Sequence, residues 1–222
     1  MNIRSEKASD IEVIAEVTRA AFENHSFSLN TEHFIIQDLR THGALTISLV
    51  AEVAGRVVGH IAFSPVTISD GTMNWHGLGP VSVLPEYQGR RIGTSLVNSG
   101  LALLQDMSSK GSVLVGLTTY FSRFGFWNHP QLINEGIPQE VFAARSFIGR
   151  FPAGIVEFHQ AFKQLSMIEK DVIADVIIDY AIAGVKVDVE NPAIESLIKK
   201  GILTETPDGK VMMRPSALTE YD

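Results

Sequence analysis

The stretch from Leu78 to Met107, LGPVSVLPEYQGRRIGTSLVNSGLALLQDM, decides the reading of this chain. Val81 and Val83 alternate with small residues as in a strand, and Pro85, which has no N–H for a ladder, ends it. The turn Gln88-Gly89-Arg90-Arg91-Ile92-Gly93 follows, and then Leu96, Val97, Leu101 and Leu104 recur at helical spacing. A strand that feeds a glycine-bearing turn at the head of a helix aims free N–H groups and the positive end of the helix dipole at one point. That arrangement suits a phosphate or pyrophosphate. Arg90 and Arg91 add positive charge inside the turn.

Outward from the turn, the pattern is mixed α/β. Upstream, the sequence predicts a short strand at Asn2–Arg4 and a helix capped by the Ser9–Glu12 box. A second helix is expected from Thr31 to His42, stopped by Gly43. Two apolar strands joined at Ala54-Gly55 read as a hairpin, and Asp70-Gly71 turns the chain into a fourth strand, Met73–Leu84. Downstream, VLVGL (113–117) reads as a buried strand and Thr119–Phe124 as a short helix. Val141–Phe147 and Ile155–Phe158 read as late strands. The expected fold is a central mixed sheet with flanking helices, an antiparallel meander followed by a strand–helix–strand crossover. The anion turn then lies where the fourth and fifth strands separate, a place where such sheets bind ligands.

From about Met167 the character changes: two helices, ended by Gly184 and Gly201, and a hairpin turning at Pro207-Asp208-Gly209. This gives a boundary near residue 163, with a helix–helix–hairpin appendage over 164–222, loosely like part of a winged helix. Between Gln164 and Asp222 there are six Lys/Arg and eleven Asp/Glu, a net of −5, which argues against binding phosphate backbones. Dimerisation, a lid or a structural appendage is the expectation there.

The 222 residues, 45% hydrophobic and 19% charged, contain no cysteine. That excludes a disulfide framework, thiolate-ligated zinc and any acyl-thioester enzyme intermediate, and it fits a reducing cytoplasm. No apolar run is long enough for a membrane span, and the formal charge of −7 argues against general nucleic-acid binding. No spacing of His and carboxylates suggests a metal site.

Taken together, GHIAFSPV (59–66), Val81–Val83, the Gln88–Gly93 turn, YFSRFGF (120–126) and FPAGIVEFHQAF (151–162) resemble the GCN5-related N-acetyltransferase (GNAT) superfamily. The resemblance extends to a bacterial subgroup of it and covers residues 1 to 163. It implies an N-acetyltransferase that passes an acetyl group from acetyl-CoA directly to a primary amine. Val81, Ser82 and Val83 would pair with the pantetheine arm, and the Val83 N–H would polarise the thioester carbonyl. Gln88, Gly89, Arg90, Arg91, Ile92, Gly93 and Thr94 would hold the pyrophosphate, with Gly93 allowing close backbone approach. Arg91 stands where the motif has its first glycine, which suggests a less demanding backbone there.

Two further departures concern chemistry. The tyrosine that protonates the leaving thiolate in many relatives corresponds to Phe121, with Tyr120 one step away. A helical step rotates a side chain by about 100°, so Tyr120 as acid, water as acid, or weak activity all stay open. In the last case the chain would serve as an acyl-CoA-binding regulatory module whose appendage docks a partner. The carboxylate many relatives carry on the fourth strand corresponds to Gly77, leaving His76 beside it as a candidate base, with His60 on the neighbouring strand similarly discounted. Glu86 is expected to be solvated. Phe121, Phe124, Phe126 and Trp127 are expected to be core and cleft wall.

Overall fold

A computed structural model describes residues 1–23, 31–135, 137, 139–162, 203–205 and 211–213. The chain divides into two units, Met1–Phe162 and Lys163–Asp222. In the second, strands β9 (Leu203–Glu205) and β10 (Val211–Met213) pair antiparallel, with Thr204 opposite Met212. The helices expected at 167–184 and 191–201 and the turn at 207–209 lie outside the described residues.

The first unit is built on β1 (Asn2–Ser5), β2 (Ile47–Val53), β3 (Arg56–Ile68), β4 (Trp75–Val83), β5 (Gly111–Val115), β6 (Leu132–Ile133), β7 (Phe142–Ser146) and β8 (Gly154–Phe158). The sheet runs β1-β2-β3-β4-β5-β7, with β8 added to the far half of β3 and β6 pairing β8. The β4–β5 and β6–β8 pairs are parallel and the others antiparallel. Ala54 and Gly55 both take positive φ (50° and 81°), the geometry of a two-residue hairpin whose twist matches its strands. The thirteen-residue β3 is buried along most of its length because it serves two partners. It pairs with β4 as far as Pro65 opposite His76, and Val66–Ile68 then pair with β8.

Helices cover both faces. On one, α3 (Ile92–Asp106) lies so close that a Cβ on Gly100 would come within 2.2 Å of the Phe63 ring, and one on Gly59 within 3.1 Å of Leu96. On the other, α1 (Ile11–Phe22) sets Thr18 Oγ1 3.2 Å from Ser82 Oγ, both side chains buried. There α2 (Glu32–Thr41) is tied down by Arg40, which donates to both oxygens of Glu6 at 2.9 and 2.8 Å.

Local expectations needed correction in several places. The Ser9–Glu12 box does not cap α1. A short 3-10 turn, Ala8–Asp10, precedes it, and the Asp10 carboxylate accepts the Lys7 N–H at 2.7 Å. Arg4 on β1 donates to the same carboxylate at 2.6 Å and holds its pKa below the usual range. Asp10 thus closes the 3-10 turn and joins it to β1, and α1 itself has no side-chain cap bond. The strand expected at 113–117 is Gly111–Val115, which leaves Leu117 exposed at the start of α4 (Thr118–Phe121). The helix expected through Phe124 changes to 3-10 geometry at Ser122 and ends at Gly125, where φ is 78°. The two-residue β6 carried no signal in the sequence.

Candidate active site

The gap within the sheet of the first unit comes from the divergence of β4 and β5. Their pairing runs Trp75–Gly111, His76–Ser112, Gly77–Val113 and then stops, so β4 has no β5 partner from Leu78 to Val83. A bulge accompanies the split: Ile61 faces Val81 and Phe63 faces Leu78, so Gly79 and Pro80 together oppose Ala62. Past the bulge, Leu84 N–H donates to Val58 O at 2.9 Å, towards β3. Alternation along the strand then directs the backbone groups of Ser82 to β3 and those of Val81 and Val83 into the gap. The Val83 carbonyl accepts the Gln88 side-chain amide at 3.1 Å. Gln88 thereby folds the turn back onto the end of β4.

The turn itself, at the head of α3, is exposed and left-handed at two points. Gly89 has φ 73°, and Arg91, at the N-cap of α3, has φ 62° and ψ 15°. The expectation of an undemanding backbone at Arg91 is therefore wrong. An arginine occupies a conformation that costs a residue with a Cβ roughly 1 kcal/mol. Arg90 lies 5.2 Å from the centroid of the Tyr87 ring, with Arg56 on the same ring at 5.8 Å. Glu86 is exposed, as expected, and lies 3.4 Å from the equally exposed Arg56.

Tyr120 enters the site from α4, which starts just beyond the end of β5. A Cβ placed on Gly93 would be 3.3 Å from the Tyr120 hydroxyl and 3.7 Å from Val83 Cγ2. The hydroxyl, the strand end and the helix head thus converge on one point, and Gly93 keeps it open. Phe121 meets the Tyr120 ring edge-on at 5.0 Å between centroids, lies 3.0 Å from where a Gly116 Cβ would be, and pairs with Phe124 and Phe126. Phe124 and Phe126 are buried, whereas Trp127 is 61% exposed. Arg123 stacks on the open side of the Tyr120 ring, 4.7 Å from its centroid.

The histidines stand apart from this convergence. His76, at the start of β4, bonds through Nδ1 to Ser109 Oγ at 2.9 Å, three residues beyond the far end of α3. Burial lowers its pKa. With 15 residues, α3 is about 22 Å long, and that length separates His76 from the turn. A cavity of about 340 Å³ beside His76 lies where β3 leaves β4, beyond the closed end of the gap.

His60 is fully buried opposite Ser82, with Nε2 2.8 Å from Ser48 Oγ. Ser48 in turn donates to the Glu6 carboxylate, which can only accept. The His60 Nε2 must then carry the proton and donate to Ser48. Burial pushes the His60 pKa down to about 4. Among the described residues no group of His, Asp and Glu could hold a metal ion, and no helix is long and apolar enough to cross a membrane.

A family model described as an acetyltransferase (GNAT) domain matches residues 2–129, and the chain belongs to that family. A GNAT acetyltransferase from Brucella melitensis, solved in complex with acetyl-CoA, is 43% identical with a TM-score of 0.65. The match covers 72% of this chain and 97% of that one. The Escherichia coli N-acetyltransferase YhbS, solved with CoA, is 31% identical with a TM-score of 0.67, over 73% of this chain and 92% of that one. YjhQ, an uncharacterised N-acetyltransferase of E. coli, is 36% identical over 133 residues, which are 59% of this chain and 70% of YjhQ.

Proposed function

We propose that the Met1–Phe162 unit is an acetyl-CoA-dependent N-acetyltransferase acting on a primary amine. The convergence of the Tyr120 hydroxyl and Val83 on Gly93, at the open end of the β4–β5 gap, carries this reading. The pyrophosphate sits on the N–H groups of Gly89 to Thr94, with Arg90 and Arg91 beside it. The pantetheine arm lies along Val81 to Val83 in the place of a strand. In the reaction, the amine nitrogen attacks the thioester carbonyl carbon. As the C–N bond forms, the carbonyl oxygen gains charge, and the Val83 N–H stabilises it more than it stabilised the ground state. The C–S bond then breaks, Tyr120 protonates the CoA thiolate, and the surplus amine proton leaves to water. A chain without cysteine has no thiol to hold the acetyl group, which favours direct transfer within a ternary complex.

His76 has no part in this step. The acidic 164–222 segment is accessory, for self-association or a partner, and the cysteine-free composition suits the cytoplasm. The test is thiol release from acetyl-CoA with a panel of amines, beside direct calorimetric binding of CoA. Binding together with amine-dependent release is the expected result. Tight binding without release for any amine would leave an acyl-CoA-binding module in place of an enzyme.

A further inference from the structure

The residues Tyr120 to Arg123 straddle a change of helix type. The α-helix α4 has four residues, Thr118–Phe121, and 3-10 geometry takes over at Ser122–Phe124. Side chains three apart are offset by about 60° in an α-helix, whereas in a 3-10 turn they eclipse. The tighter winding brings Arg123 over Tyr120, with its guanidinium carbon 4.7 Å from the ring centroid. Ser122 secures the turn by donating from its hydroxyl to Thr119 O at 3.2 Å. The left-handed Gly125 closes it, its N–H donating to Ser122 O at 2.9 Å.

Other sides of the Tyr120 ring are packed. Phe121 meets it edge-on at 5.0 Å between centroids, and Phe124 at 5.6 Å. Its hydroxyl lies at the head of α3, beside Gly93. Arg123 is exposed, and among the described residues its guanidinium makes no hydrogen bond or ion pair. Arginines that fasten this fold behave otherwise. Arg40 donates to both oxygens of Glu6, and Arg145 donates to Phe124 O at 2.7 Å. What Arg123 holds is the face of the Tyr120 ring.

We propose that Arg123 is a positioning residue for acetyl transfer, holding the Tyr120 hydroxyl where the CoA thiolate leaves. This rests on the transferase reading and deepens it. A general acid must stand within hydrogen-bond reach of the atom it protonates, and a helix of four residues fixes its side chains weakly. A cation over the ring face restrains the ring. In the step itself the Tyr120 O–H bond breaks and an S–H bond forms on CoA, and the phenol regains a proton from water afterwards. The contact with Arg123 strengthens as the phenol oxygen gains charge, so it favours the transition state over the ground state. Its loss therefore falls on kcat and spares acetyl-CoA binding.

The experiment offers the full chain spermidine, benzylamine and a short peptide with a free N-terminus, and carries forward whichever gives the fastest thiol release. Arg123→Ala should lower kcat roughly two- to fivefold, the range of an exposed cation–π contact. The acetyl-CoA dissociation constant and the urea midpoint should hold. In a Tyr120→Phe background the same substitution should leave kcat unchanged, because no hydroxyl remains to be positioned. An unchanged kcat in the single variant overturns the inference. An equal loss in both backgrounds also overturns it, since Arg123 would then act apart from Tyr120. Weaker acetyl-CoA binding overturns it too, making Arg123 a phosphate ligand instead. If Tyr120→Phe alone leaves kcat unchanged, this inference falls and the transferase reading stands. Acetyl-CoA binding with no release for any amine sinks the transferase reading itself, and this inference with it.

Discussion

The two ends of the β4–β5 gap are made of different materials. The open end is shaped by backbone: the turn at the head of α3, a left-handed Arg91, and a glycine that keeps space beneath the Tyr120 hydroxyl. At the closed end the space over Gly77 of β4 is filled by side chains from separate elements, Phe158 of β8 and Val66 of β3. A site for an invariant ligand part can be built from main chain, which is the same whatever the residue. Close packing between separate elements depends on which side chains meet, and so varies with the sequence.

Four perturbations sharpen or break this contrast. The largest expected effect lies between the two ends, in the buried His60. Its folded pKa, about 4, is below the unfolded value near 6.5. Between those values the unfolded chain binds a proton that the folded chain refuses, so stability falls as pH drops from 6.5 to 4, by roughly 3 kcal/mol in total. The groups facing His60 are Glu6, which favours its charged form, and Arg40, which opposes it. Burial alone would raise the Glu6 carboxyl, but hydrogen bonds from Arg40 and Ser48 hold it below its usual range, so its protonation adds to the loss at the acid end. Urea unfolding across this range checks the slope, and His60→Gln should flatten it.

Next comes Tyr120→Phe, which at the open end should lower kcat by about 100-fold, the usual worth of a general acid, with little change in KM for acetyl-CoA. An unchanged kcat would remove Tyr120 from the mechanism. At the closed end, Gly77→Ala forces its Cβ against the Phe158 ring and should cost about 2 kcal/mol of stability. Urea unfolding measures that loss, the acetyl-CoA dissociation constant should hold, and a change in the latter would show that the ends are not separable. The smallest effect is expected from Arg91→Gly, which relieves the left-handed strain and should stabilise the fold by roughly 0.5–1 kcal/mol. Acetyl-CoA affinity should fall a few-fold as a charge beside the pyrophosphate is lost. The opposite signs identify strain held for binding.

The contrast also explains what the sequence made legible. The turn could be read because its strand stop, glycines and helix start are contiguous, and contiguous residues state backbone geometry directly. Even there Arg91 misled, since residue type argues against the φ that the turn imposes. The choice between Tyr120 and Phe121 could not be made from helical spacing, because the change to 3-10 geometry at Ser122 and the packing of Phe121 beneath Gly116 decide which ring turns outward. The closed end was illegible for another reason. Gly77 read as a missing carboxylate, and nothing near it in the chain shows that Phe158 fills the space.

The double pairing of β3, first with β4 and then with β8, bears on the order in which the two ends become available. Translation delivers the turn, α3 and Tyr120 well before Phe158. The far half of β3 therefore waits for its partner until the last strand of this unit is made, and only then does Phe158 close the space over Gly77.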